Sequence, residues 1–333
     1  MSEPGAAAGG AAPEIRLSPK RIATGSVLLF LVAFVLLAFA RLAKPATWEF
    51  GLEVDTEVAA LTLQPDTMVR WRIDGAQICS RTALVLPEAS RLADAAAVCG
   101  GRRWQGWQLE APEQVLTLSG GASVLLETTT DGLSLSLRAA EGQTLGSLEA
   151  VGSVAETTLG DALNLFWRAD SSVALSFPFT ATTTLGRAVS WADPRMLRSG
   201  TVSVFTADDS ADQRTRVDEA GLMLGDQVTL SAETGGLWPK GFVRPTAGMA
   251  SLAVVAFGQA DSLSIVRYGE SGYDFRPDWF ARLASDPILT FWGSLLAVYM
   301  SIALGVVQFS GEKSIHRDDP RATWFRWFYR YDE

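Results

Sequence analysis

Two hydrophobic patterns divide this chain. One is an unbroken apolar run, met twice. Ile22 to Ala40 (IATGSVLLFLVAFVLLAFA) carries no charge. As a helix it is roughly 28 Å long, close to the hydrocarbon thickness of a bilayer. Ile288 to Phe309 (ILTFWGSLLAVYMSIALGVVQF) is the second run, roughly 33 Å as a helix. Phe291 and Trp292 lie near one of its ends and Phe309 near the other, where aromatic rings favour the membrane interface.

Between the runs the period becomes two. Val173, Leu175, Phe177 and Phe179 alternate with Ala174, Ser176, Pro178 and Thr180. Leu133, Leu135 and Leu137 alternate with Ser134, Ser136 and Arg138, and Val202/Val204, Val228/Leu230 and Leu263/Ile265 repeat the rhythm. One apolar and one polar face make a half-buried antiparallel strand. Asp74-Gly75, Ser119-Gly120-Gly121, Asp131-Gly132, Ala169-Asp170-Ser171-Ser172 and Gly225-Asp226 supply turns. Strand and turn at this spacing predict a sandwich, jelly roll or barrel. Pro178 predicts an edge strand, because proline cannot donate to a ladder. Pro87 to Val98, rich in Ala with Glu88 in the first turn, predicts a short helix. Gly235 to Gly248 predicts a long loop, its Trp238 and Phe242 either exposed for a partner or packed back on the sheet.

Charge orients the chain. Lys313, Arg317, Arg321, Arg326 and Arg330 follow the second run, against Arg276 and Arg282 before it. Arg16, Lys20 and Arg21 precede the first, and Arg41 and Lys44 follow. Both counts place the termini in the cytoplasm and the middle outside. Ala38-Phe39-Ala40 matches a signal-peptide cleavage site, but the apolar stretch exceeds a usual h-region and is read as a retained span. The expected fold is mainly β, a sandwich- or jelly-roll-like extracytoplasmic domain flanked by two transmembrane helices. Residues 1–21, low in complexity, form a disordered tail. Residues 22–40 form the first span, 45–285 the β-rich body with an optional sub-boundary near 110, 286–309 the second span and 310–333 a cytoplasmic tail. In that tail Trp324, Trp327, Phe328 and Tyr331 fall on one helix face, with Arg326 and Arg330 elsewhere. This suits an interfacial anchor, with a docking peptide as the alternative.

Composition narrows the function. The 333 residues carry a net charge of −9, which argues against a nucleic-acid binder. Frequent Ala and an excess of Arg over Lys suggest a GC-rich bacterium, hence a cytoplasmic membrane with the body in the periplasm. Cys79 and Cys99, twenty residues apart in the outer region, are expected to form a disulfide. The single histidine, His316, falls in the tail, which excludes His-dependent triads and His-ligated metals from the body. No cofactor or metal is expected. Ser310-x-x-Lys313 lacks its partner motifs, and Asp208-x-Ser210-x-Asp212 lacks the glycine of a calcium loop.

Two constellations remain. Arg102, Arg103, Trp104 and Trp107 form a basic-aromatic cluster that would bind a sugar face or an anionic head group, or else pack as core. Gly293, Ala297, Ser301 and Gly305 recur at every fourth residue, a small-residue stripe on which another helix can sit closely. The stripe, the aromatic tail and the missing catalytic groups point to a non-catalytic, membrane-anchored subunit or scaffold. Its partners would be lipids and other integral membrane subunits or further copies. A module binding glycan, lipid or peptide is the alternative, and a carboxylate-based glycoside hydrolase a third.

Overall fold

The computed structural model describes residues 19–42, 48–86, 89–92, 98–99, 103–110, 113–151, 156–171, 173–187, 195–206, 216–231, 237–260, 263–268, 272–276, 284 and 286–318. The chain forms two compact units. One is 46–281, the other 1–45 together with 282–333. The helical unit contains α1 (Pro19–Leu42) and α2 (Pro287–Asp318). The body contains β1 (Trp48–Thr56), β2 (Val58–Leu63), β3 (Val69–Arg72), β4 (Gln77–Ser80), β5 (Ala89–Arg91), β6 (Gln105–Leu109), β7 (Gln114–Leu118), β8 (Ser123–Thr129), β9 (Gly132–Arg138) and β10 (Gly146–Ala150). It continues with β11 (Glu156–Leu159), β12 (Ala162–Arg168), β13 (Phe177–Leu185), β14 (Leu197–Thr206), β15 (Arg216–Leu222), β16 (Asp226–Leu230), β17 (Lys240–Pro245), β18 (Leu252–Ala260), β19 (Leu263–Arg267) and β20 (Tyr273–Phe275).

Every pairing among the described strands is antiparallel, and the alternation in sequence becomes the two faces of the sheets. Leu133, Leu135 and Leu137 are buried while Ser134 and Ser136 are only partly covered. The large sheet runs β15-β14-β1-β18-β17-β13-β2-β8-β9-β12-β4-β6-β5, with β16 also on β13 and leading to β19 and β20. A smaller sheet runs β11-β10-β7-β3. Apolar residues of both sheets merge into one core. At its centre the rings of Trp71 and Trp167 lie 5.2 and 5.8 Å from that of Phe177. The indole N–H of Trp71 donates to the Pro178 carbonyl at 2.7 Å, and that of Trp167 to the Asp74 carbonyl at 2.9 Å. Buried indoles need such partners. Gly132 closes the β8–β9 hairpin at φ 149°, where a Cβ would stand 1.9 Å from the Trp167 carbonyl oxygen, so only glycine fits.

Three local expectations are corrected. Ala89–Arg91, read as part of a helix, is a strand paired to Leu109–Trp107 of β6. Pairing to a neighbouring strand outweighs the weak helix preference of a short Ala-rich segment, and residues 93–97 lie outside the described part. Gly235–Gly248 is not one loop, since Lys240–Pro245 is strand β17 between β13 and β18. Pro178 does not lie on an edge strand, because β13 is interior. It is locally one-sided, however. Phe177–Thr180 pair with β17, and pairing with β2 begins only at Ala181. The Pro178 carbonyl faces Trp71, away from β17, so the missing N–H falls on the side that has no strand.

The Cys79–Cys99 disulfide is formed, with Cα atoms 5.6 Å apart. Asp226 is fully buried and held by a two-pronged contact from Arg267, both bonds 3.1 Å, across the β16–β19 pair. The bond to Asp226 raises the Arg267 pKa above its ordinary value.

Candidate functional site

In the helical unit Asp286 caps α2, its carboxylate accepting the Ile288 and Leu289 amides at 2.8 and 3.1 Å. The uncharged stretch Ile288–Gly305 is long and apolar enough to cross a membrane. The apolar part of α1, among the described residues, is the shorter Gly25–Ala40. The two helices pack together. Phe30 contacts Trp292 and Tyr299, with ring centroids 5.5 and 5.7 Å apart, and the Tyr299 hydroxyl bonds Ser26. A Cβ on Gly293 would lie 3.9 Å from the Phe34 ring. The small-residue stripe therefore meets α1 at its first member. Ala297 and Ser301 are exposed, and a Cβ on Gly305 would meet nothing within 4 Å. Phe291, Leu295, Val298, Ile302 and Leu304 are exposed as well.

The basic-aromatic cluster is divided. Trp107 is buried in the core. Trp104 is half-buried with the Arg81 guanidinium 5.0 Å over its ring, and Arg103 is exposed. Arg102 lies outside the described residues, as do Trp324, Trp327, Phe328 and Tyr331. Trp238 and Phe242 are half-buried, and Phe242 carries the Arg244 guanidinium 5.1 Å above its ring. Among the described residues, no three His, Cys, Asp or Glu side chains gather as metal ligands.

A groove of about 510 Å³ opens beside Arg244. It lies between Val173–Ser176, which lead into β13, and the turn Pro245–Met249, which leaves β17. Its base holds Leu175 and Met249, both nearly buried, and its rim Ser171, Ser176, Arg244 and Thr246. The groove exists because the β13–β17 ladder stops. Phe177 pairs with Val243, so the next rungs would be Ser176 with Arg244 and Leu175 with Pro245. Pro245 has no N–H to give to the Leu175 carbonyl. Beyond it the chain turns away. Thr246 and Ser251 exchange backbone and hydroxyl bonds, and Gly248 and Met249 take φ of 70° and 53°. Among the described residues, no backbone hydrogen bond joins Val173–Ser176 to another strand. Arg244 has one polar contact, Nε to Ser176 Oγ at 3.4 Å, and no carboxylate among the described residues. Sequence patterning found Phe242 but missed this groove. The signal was the alternation of outward Lys240, Phe242 and Arg244 with inward Val243, ended by Pro245.

The chain matches no protein-family model, no curated protein and no solved structure.

Proposed function

We propose that the protein is a non-catalytic, membrane-anchored subunit that holds a sandwich-like β body outside a bacterial cytoplasmic membrane and binds partner proteins there. One observation carries this reading. Only 6% of the apolar stretch Ile288–Gly305 is buried, although α1 packs against it. An apolar helix left so open is suited to lipid and to a further helix, not to water. The disulfide agrees with an oxidising compartment. In this reading α1 is a second span, its apolar part, among the described residues, being the shorter Gly25–Ala40. The absence of histidine from 45–285 supports a non-catalytic role.

The test uses the exposed small residues rather than Gly293, which faces α1. Ala297→Leu with Ser301→Leu is expected to abolish co-purification of partner chains, or of further copies, in mild detergent. Unchanged co-purification overturns the reading. Labelling of Ser199→Cys by a membrane-impermeant thiol reagent in intact spheroplasts is expected to succeed. Labelling only after lysis overturns the outward placement of the body.

A further inference from the structure

From the groove beside Arg244 we infer that the body binds an extended polypeptide strand bearing a carboxylate, which adds to the edge at Val173–Leu175, unpaired among the described residues, and seats its acid on Arg244. This names the partner class of the binding subunit proposed above and rests on that reading. Three observations on different residues meet there. The first is the orientation of the backbone. In an antiparallel ladder successive residues point their N–H and C=O to opposite sides. Thr180 bonds the Gln64 amide on the β2 side, and Ala181 bonds Pro239 on the β17 side. Counting back, Phe177 faces the β17 side; continued into Val173–Ser176, the same alternation would turn Leu175 and Val173 into the groove and Ser176 and Ala174 away. The second is Pro245, which would stand opposite Leu175 if the register continued, and which has no N–H to donate, so the ladder ends at Phe177. An incoming strand supplies the donor and acceptor that the ladder lacks. The third is Arg244. Its guanidinium is steadied on Phe242 and Ser176, lines the groove and meets no carboxylate among the described residues. A cation held in place at the rim of an apolar-floored groove favours an acid on the ligand. The base of Leu175 and Met249 then takes an apolar side chain of the same strand.

The experiment uses the full chain in nanodiscs, with short acetylated and amidated peptides in which Val and Thr alternate around one Asp, placed at each position in turn. At least one peptide is expected to bind saturably. Its Asp→Asn form, and the variant Arg244→Gln, are each expected to weaken binding by about tenfold, as for loss of one charge-assisted hydrogen bond. Ala174→Trp, which fills the groove from an exposed position, is expected to abolish binding while leaving the thermal midpoint unchanged. Hydrogen exchange reads the mode. The Val173 and Leu175 amides are expected to gain protection on binding, and those of Ala174 and Ser176 are not. No binding by any peptide overturns the proposal, as does affinity indifferent to Arg244→Gln or protection elsewhere on the body. Equal protection by acetate alone reduces the site to an anion site and overturns the strand. Concentration-dependent self-association abolished by Ala174→Trp assigns the groove to a second copy and overturns a foreign strand. Failure here leaves co-purification through α2 standing, so the two proposals fail separately.

Discussion

In the body Leu133, Leu135 and Leu137 are buried, while in α2 Leu295, Val298, Ile302 and Leu304 are exposed along the helix. The same residue types are thus placed oppositely, and the backbone explains why. A strand turns each side chain to the other face, so one sequence can serve the core and water together. An α-helix satisfies its own backbone amides and leaves its whole circumference to side chains, so polarity need not alternate. The body is stabilised by closure of one core, and the helix pair by contacts that include the rings around Phe30 and the Tyr299–Ser26 bond.

Four substitutions break or sharpen this contrast. Trp167→Ala strikes the centre of the body. It leaves a cavity beside Phe177 and removes the partner of the Asp74 carbonyl, and is expected to lower stability by about 4 kcal/mol in denaturant titration of the detergent-solubilised chain. Cys79→Ser frees the loop to Cys99 and is expected to lower it by about 3 kcal/mol, with faster proteolysis between the two positions. Gly293→Leu presses a side chain towards Phe34 and is expected to weaken the helix pair by about 1–3 kcal/mol, read as loss of a cross-link between cysteines placed on α1 and α2. The body's melting midpoint should not move. Leu295→Ala, on the exposed flank, is expected to change stability by less than about 0.5 kcal/mol in detergent. A loss comparable to that of Trp167→Ala would mean that this flank is packed against protein.

Much of the body was legible because a period of two survives any tertiary arrangement. The strands around Leu133–Leu137 and Phe177–Phe179, the turns at Gly75, Gly132 and Gly225, and the disulfide were all readable from pattern and chemistry. Pairings between distant segments were not. Nothing local shows that Ala89–Arg91 will meet β6, that Pro178 will face Trp71, or that Asp226 will be neutralised by Arg267. The groove was hidden for the same reason. Its edge belongs to residues 173–176 and its open rung to Pro245, and only the β13–β17 register brings them together.

The placement of β1 has a consequence for how the body is made. Trp48 lies opposite Thr206 on one side and Ala260 on the other, so both neighbours of the body's first strand emerge late from the ribosome. Until then Phe50, Leu52 and Val54 have no sheet to join. Glu49, Glu53 and Asp55 alternate with them, and acidic side chains of this kind deter adventitious strand pairing. Final closure waits for the ends of the body to find each other, and such long-range pairing makes for slow folding. The nascent body thus presents an unfinished seam for most of its synthesis, the interval in which a chaperone would have most to bind.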